Sequence, residues 1–270
     1  MRRFIPPLAI AASCVFVLSA CGGGGGGNGN SSGSSSSSSS SATTQSVEGL
    51  WSGTATDTGS GTSFNAYGVI TSAGQTLLAI SSNGAYFGLA SGLLSVAAST
   101  VTSTDFVTLG LGTGAATAGT LSGGVTSRFS IIAKATYPNN VNDNYNLSYD
   151  KQYETAASVA TAKGTYTVRN SLGVATGSFS VDDNGVLSGT NDSCPFSGTL
   201  KPHGDGSRNV HDITVNATAG TSCTTQLANL SGLATLAALS GTDTTKSLLL
   251  MATRQSGSVY SVFVAAGRRN

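Results

Sequence analysis

The chain contains two histidines, His203 and His211, which lie on either side of a glycine-rich turn. Ser207 and Asp212 are close by, so this short stretch contains the residue types of a Ser/His/Asp hydrolase. In such enzymes the nucleophile lies on a rigid support within hydrogen-bond reach of its base. Here Ser207 falls in the turn with Asp205, and Asp212 directly follows His211 in a predicted strand, where neighbouring side chains point to opposite faces. We therefore expect the polar residues of a solvated hairpin; a hydrolase that uses His203 or His211 is the alternative.

Metal binding makes stricter demands on the sequence. Zinc would need a third ligand beside His203 and His211, and no cluster of His or Cys supplies one. Residues 182–184 (Asp-Asp-Asn) and 142–144 (Asn-Asp-Asn) offer oxygen ligands for calcium, but neither has the spacing of a calcium-binding loop. Aspartate and asparagine are also ordinary turn residues. We predict no metal and no cofactor.

The first 20 residues have the layout of a secretory signal peptide. Arg2 and Arg3 give a positive start, residues 4–18 are mainly apolar, and small residues lead into Cys21. The apolar part is too short for a membrane-spanning helix, which needs about 20 apolar residues. We therefore predict export, with residues 1–20 as the cleaved signal.

The end of this signal, Leu18-Ser19-Ala20-Cys21, resembles the lipobox of bacterial lipoprotein precursors. The resemblance implies that Cys21 receives a diacylglycerol thioether, that cleavage falls before it, and that its new amine is acylated, with palmitate as the expected chain. Several acyl chains would attach the mature protein permanently to a membrane. Because Gly22 rather than Asp follows the cysteine, the resemblance implies the outer membrane of a Gram-negative envelope, on its periplasmic or surface face. An ordinary signal peptide with an incidental Cys21 is the alternative.

The charge of the chain argues against nucleic acid as a partner. The chain has 13 basic and 12 acidic residues, and loss of Arg2 and Arg3 with the signal leaves 11 basic residues. No basic patch indicates nucleic acid. Charged residues are only 9% of the chain, against about 25% in average domains, so Ser, Thr, Asn and Gly must keep the surface soluble.

Two cysteines, Cys194 and Cys223, remain once Cys14 leaves with the signal and Cys21 takes lipid. In an exported protein an even pair of cysteines usually forms a disulfide, and neither has a second Cys at metal-ligand spacing. We predict a Cys194–Cys223 bond. Closing a loop of this size would stabilise the fold by about 3 to 4 kcal/mol.

The remaining chain divides into a linker and a body. Residues 21–46 combine the lipidated cysteine with a Gly/Ser tract that is expected to be a flexible, disordered linker. From Val47 onward, short runs of Val, Ile, Thr, Tyr and Phe alternate with Gly, Asn-Gly and Ser-Gly, which is typical of strands joined by tight turns. Asn83-Gly84 is a strong hairpin signal. Residues 153–163 are the one helix candidate, which we interpret as a short helix or a connector.

We predict an all-β fold, either an antiparallel up-and-down barrel or a sandwich. A faint internal echo, in which Gly74 and Gly185 each precede an apolar pair and then a Phe-containing run, suggests two similar halves of about eight strands. The halves would span residues 47–152 and 153–270, the second with the disulfide; one large barrel is the alternative. Eight strands close into a barrel whose interior is filled by side chains or holds one small ligand.

Two further resemblances concern the body. Gly49-Leu50-Trp51 resembles the Gly-x-Trp start of lipocalin-type barrels, and a β-barrel next to a lipid anchor is similar in outline to transferrin-binding surface lipoproteins. They imply a fold and no binding residues. Several aromatic residues could either pack the core or line a ligand pocket: Trp51, Phe64, Tyr67, Tyr86, Phe87 and Phe106.

The scarcity of His, Glu and Lys favours binding over catalysis. A glycosidase, for example, would have to take its carboxylate pair from loop aspartates, because the chain has only Glu48 and Glu154 as glutamates. We therefore predict a non-enzymatic, lipid-anchored envelope protein with a binding or structural role. Its partners would be the membrane and either an envelope protein or a small apolar ligand. An inhibitor or adhesin-like module that acts through loops such as residues 138–144 is a further alternative.

Overall fold

The computed structural model describes residues 45–111, 115–170, 172–192, 194–217, 227–238, 246–257 and 259–270. The signal peptide, Cys21 and the Gly/Ser linker lie outside these residues, as does Cys223, so what the sequence suggests for them stays a prediction. Where it is described, the chain is mostly β-strand joined by tight turns. No helix in the described part has the length and apolar character needed to cross a bilayer.

The first half of the body is a closed antiparallel barrel. Strand β1 pairs with both β2 and β9, and β4 pairs with β6, so β1–β4 and β6–β9 form a ring of eight. Strand β5 is a short addition beside the start of β6. The strand bounds are β1 Gly49–Asp57, β2 Ser63–Ile70, β3 Gln75–Ser82, β4 Ala85–Leu93, β5 Ser95–Ala97, β6 Thr100–Gly110, β7 Ala116–Thr126, β8 Ser130–Thr136 and β9 Asn142–Asp150.

The second half is also a closed barrel of eight strands, in which each strand is antiparallel to the next and β17 returns to β10. The bounds are β10 Gly164–Arg169, β11 Ala175–Val181, β12 Val186–Asn191, β13 Cys194–Pro202, β14 His211–Ala217, β15 Leu227–Ala237, β16 Ser247–Ser256 and β17 Val259–Arg269. The all-β class and the two similar halves are confirmed, as barrels rather than sandwiches.

The segment of residues 153–163, interpreted as a short helix or a connector, contains only short helical turns. A 3-10 turn, Lys151–Glu154, is followed by extended chain and then by one helical turn, α1, at Val159–Ala162. Ser158 caps α1: its Oγ accepts from the N–H of Thr161, and Thr161 Oγ1 accepts from the N–H of Ser158. The β-branched Val and Thr in this segment, followed at once by strand β10, leave no room for further turns.

Both barrels are filled by their own side chains. Inward-facing residues of the first include Trp51, Phe106 and Tyr145, and those of the second include Tyr166 and Phe179, all at most 2% exposed. The rings of Tyr166 and Phe179 stack with centroids 5.0 Å apart. A void of only about 10 Å³ lies inside the first barrel, which is about the least space that one water molecule needs.

A third apolar layer joins the outer faces of the two barrels. Leu50 and Leu77 of the first barrel belong to the same buried cluster as Leu249, Met251 and Val264 of the second. This layer explains the uninterrupted apolar run of β16, because alternate residues of this strand face the barrel interior and the other barrel. A strand that is buried on both faces has no solvent side on which polar residues would alternate.

Candidate functional site

The two histidines of the sequence lie on different sides of the barrel wall. His203 lies in the turn after β13, with its Nδ1 2.6 Å from Oδ1 of Asp212, and both side chains are about one-third exposed (35% and 37%). The backbone N–H of Ser207 donates to Oδ1 of Asp205 instead. His211 is fully buried. No Ser/His/Asp triad is assembled among the residues that the structure describes.

His211 connects β14 to the segment between the barrels. Its Nε2 lies 3.2 Å from the carbonyl oxygen of Ser158, so a neutral ring with its proton on Nε2 donates there. Its Nδ1 is buried and has no hydrogen-bond partner among the described residues. Burial lowers the pKa of His211 below its usual range, against weaker upward effects of backbone groups and Asp212. The ring is therefore a neutral structural residue at pH 7.

We expect the free energy of unfolding to fall as the pH is lowered from about 7.5 to about 5.5. The pKa of His211 is lower in the folded state than the usual value of about 6.5, which applies to the unfolded chain. The unfolded state therefore binds the proton first, and stability is lost as the pH falls through the unfolded-state pKa. Urea unfolding at several pH values should show this loss in the wild type and a smaller one in His211→Gln. Equal pH dependence in both proteins would contradict the assignment.

The acidic turn at residues 182–184, considered for calcium, has other partners. In the turn before β12, Oδ1 of Asp182 accepts from the N–H groups of Asn184 and Val186, each at 2.8 Å. Asp183 pairs with Lys163 at 2.6 Å. The described residues contain no group of three or more His, Cys, Asp or Glu side chains placed to hold a metal ion. These carboxylates fix a turn, as Asp and Asn commonly do.

A cleft lies between the two barrels. It consists of a cavity of about 420 Å³ and a second, more open and more polar one of about 610 Å³. We call them together the inter-barrel cleft, because both are lined by Gly84, Tyr86, Arg169, Asn170 and Ala266. The smaller cavity lies at the mouth of the second barrel, and its walls combine apolar residues with a few polar ones: Ala85, Leu111, Val168, Thr176, Asn191, Asp192, Cys194, Ala217, Leu227, Val262, Phe263, Val264 and Ala265.

The aromatic residues singled out from the sequence divide between core and cleft. Trp51 and Phe106 are fully buried in the first barrel. Phe64 and Phe87 contact each other, with ring centroids 4.8 Å apart, and Phe64 packs against the first-barrel core. The remaining two, Tyr67 and Tyr86, line the cleft.

Tyr67 and Tyr86 point away from the first barrel and line the cleft. The Tyr67 hydroxyl donates to Oδ2 of Asp150 at 3.2 Å. Burial raises the pKa of both phenols, to about 12 for Tyr86 and further for Tyr67, where the Asp150 carboxylate adds to the effect. Both hydroxyls therefore stay protonated at neutral pH, and that of Tyr67 is already engaged by Asp150.

The barrel wall is incomplete beside the smaller cavity. Strands β10 and β17 pair only between Tyr166–Val168 and Gly267–Arg269, because β10 ends at Arg169 whereas β17 begins as far away as Val259. The side chain of Asn191 crosses from β12 and donates from Nδ2 to the carbonyl oxygen of Val264 at 2.9 Å. Cys194 lies at the same end of the barrel and lines the cavity. Its predicted partner Cys223 lies outside the described residues, so this disulfide stays a prediction.

No protein-family model, curated protein or solved structure matches the chain. A functional assignment therefore depends on the residues of the cleft and on the N-terminal sequence.

Three of the polar residues of the cleft, Arg169, Asn170 and Asn191, were not predicted from the sequence. They come from different turns and strand ends, and nothing in their spacing marks them. One signal was present: in β17, Val262 and Val264 alternate with Phe263 and Ala265, so both faces of this strand are apolar. Such a strand needs cover on its outer face as well, which is where the first barrel and the cleft lie.

Proposed function

We propose that this chain is an exported, lipid-anchored envelope protein that binds a ligand in the inter-barrel cleft without transforming it. The observation that carries the binding role is the smaller cavity. Its volume of about 420 Å³ falls within the range of about 300 to 1,000 Å³ that is usual for ligand sites. Mostly apolar walls with a few polar groups, here Arg169, Asn170 and Asn191, are also typical of such sites.

The sequence supports the location. The lipobox at residues 18–21 would place the acyl chains on Cys21, at the start of a Gly/Ser linker. The cleft would thus be held in the envelope, where envelope proteins or small molecules can reach it.

The arrangement of the histidines favours binding over hydrolysis. His203 and Asp212 form a pair on the outer surface, but the backbone of Ser207 is held by Asp205 instead. His211 is enclosed and hydrogen-bonded to the backbone of Ser158. Neither ring opens into the inter-barrel cleft, since neither lines its two cavities.

We expect Ala85→Trp to abolish ligand retention in the cleft. Ala85 is an exposed residue at the start of β4 and lines the smaller cavity, so a Trp side chain there would occupy the space of the ligand. The full chain, purified from the envelope, would be compared in native and denaturing mass spectra. The fraction that carries extra, non-covalent mass should fall at least about tenfold, which corresponds to about 1.4 kcal/mol.

Ala97→Trp is the matched control for this change. Ala97 is likewise an exposed strand residue, in β5, but it lines neither cavity of the cleft. This variant should retain ligand as the wild type does. Equal retention by Ala85→Trp and Ala97→Trp would place the ligand elsewhere and contradict the assignment of the cleft.

A further inference from the structure

Strand β17 has one fully paired edge and one edge that is mostly open. Toward β16 it pairs without a register shift from Val259 to Arg268. Toward β10 the pairing is confined to Gly267–Arg269. Between Tyr260 and Ala266, no strand in the described part of the chain pairs with this second edge.

The backbone groups of Val262 and Val264 face this open edge. Asn191 donates to the carbonyl oxygen of Val264, so this carbonyl points away from β16. In a regular strand the N–H and C=O of one residue point to the same side, and every second residue repeats the direction. The N–H of Val264 and both backbone groups of Val262 therefore point into the open edge, where they have no hydrogen-bond partner among the described residues.

This open edge is partly buried: Val264 is enclosed, and Val262 and Ala266 are partly exposed. Val264 is only 6% exposed, and native proteins pair nearly all of their buried backbone N–H groups. The smaller cavity of the cleft lies along the edge, because the consecutive residues Val262–Ala266 all line it. If the cavity lay against one face of the strand, only every second residue would line it, so the cavity lies along the edge instead. A row of strand donors and acceptors that have no partner among the described residues thus lies along this cavity.

Building on the proposed binding function, we propose that the ligand is an extended peptide segment of a partner protein, which adds as a strand along Val262–Ala266 of β17. A peptide backbone supplies N–H and C=O groups at the spacing of this edge, and strand addition to an exposed sheet edge is an established mode of peptide recognition. Five residues of strand span about 17 Å.

The walls of the cavity specify the side chains of this peptide. On the side of the second barrel they would meet Val168 and Phe263, and on the side of the first barrel Tyr86 and Leu111. Alternate residues of a bound strand point to these two sides. The segment is therefore expected to carry apolar or aromatic side chains on both faces, and Asn191 would exchange its bond to Val264 for one with the peptide.

The test uses amide hydrogen exchange of the full chain, followed residue by residue by NMR. The probes are acetylated, amidated heptapeptides of the form Lys-X-X-X-X-X-Lys, in which X is Val, Ile, Phe or Tyr, so that both faces of the bound strand are apolar. Binding should slow the exchange of the Val262 and Val264 amides at least about tenfold in a saturable way. The amide of Phe263 points toward β16 and serves as the internal control, since its exchange should change little.

A second set of peptides separates strand addition from apolar burial. In these peptides two adjacent internal amides are N-methylated, which removes a donor from each edge and keeps the side chains. They should bind at least about tenfold more weakly. If they protect Val262 and Val264 as well as the unmodified peptides do, strand addition is wrong, although binding in the cleft stands.

Two other outcomes overturn the peptide assignment. If no peptide of the set protects these amides at about 1 mM while the purified protein carries a bound small molecule, the cleft is a small-molecule site and the proposed function stands without the peptide. If the protein carries no ligand and binds no peptide, both proposals fail.

Discussion

Trp51→Ala is expected to lower the free energy of unfolding by about 3 to 5 kcal/mol, the usual range for removal of a buried Trp or Phe side chain. Trp51 is completely buried in the first barrel, and its ring meets Tyr149 edge-on with centroids 5.5 Å apart. Its Nε1 donates to the carbonyl oxygen of Val47 at 2.9 Å, which fixes the chain that enters β1. Alanine would leave a cavity in the barrel and an unpaired carbonyl at its end.

The measurement is urea unfolding followed by far-UV circular dichroism, because Trp51 is the only tryptophan and its fluorescence is lost in the variant. Trp51→Phe is the control: it keeps most of the apolar volume and loses the hydrogen bond, so we expect it to be clearly more stable than Trp51→Ala. A loss below about 1 kcal/mol in Trp51→Ala would show that this ring does not organise the first barrel.

The second large effect is expected for Gly232→Ala in β15. A Cβ atom on Gly232 would lie 1.9 Å from the carbonyl oxygen of Met251 and 2.6 Å from the Cα of Ala252. Both are backbone atoms of the neighbouring strand β16, so no side-chain rotation relieves the clash, and the two strands would have to separate. We expect a loss of about 3 kcal/mol or more, at the upper end of the overpacking range.

Gly124→Ala in β7 is the matched control, because a Cβ atom there would meet nothing within 4 Å. It should be neutral or stabilise by up to about 1 kcal/mol through the lower entropy of its unfolded chain. Thermal and urea unfolding of the two variants would test the contrast. Similar stabilities would mean that β15 and β16 do not approach as closely as the structure shows.

The sequence predicts the strands of the barrels better than it predicts which side chains face inward. The period-two patterns and the glycine-rich turns indicate strands, and their number indicates two sets of about eight, which the structure confirms. The inward direction is harder to predict. In β2 both faces are apolar: Ala66 and Ile70 lie on one face, Tyr67 and Val69 on the other. The pattern alone therefore does not say which face points into the barrel and which points to the other barrel.

The cleft could not be predicted, because it depends on how two barrels meet. Arg169 and Asn191 reach it from the ends of β10 and β12, and Tyr86 reaches it from β4 of the other barrel. Sequence order carries no information about that contact beyond the apolar runs that require cover. The short length of the β10–β17 ladder could not be predicted either, since nothing around Arg169 or Ala266 in the sequence marks where pairing stops.

Native mass spectrometry of the full wild-type chain, purified from the envelope, tests directly whether the inter-barrel cleft holds a ligand. We expect a native mass that exceeds the denatured mass, because a ligand held in the cleft is released on unfolding. The mass of that ligand would also show whether it is a peptide. Identical native and denatured masses, in a sample with intact barrels, would contradict a binding protein whose cleft is occupied in the cell.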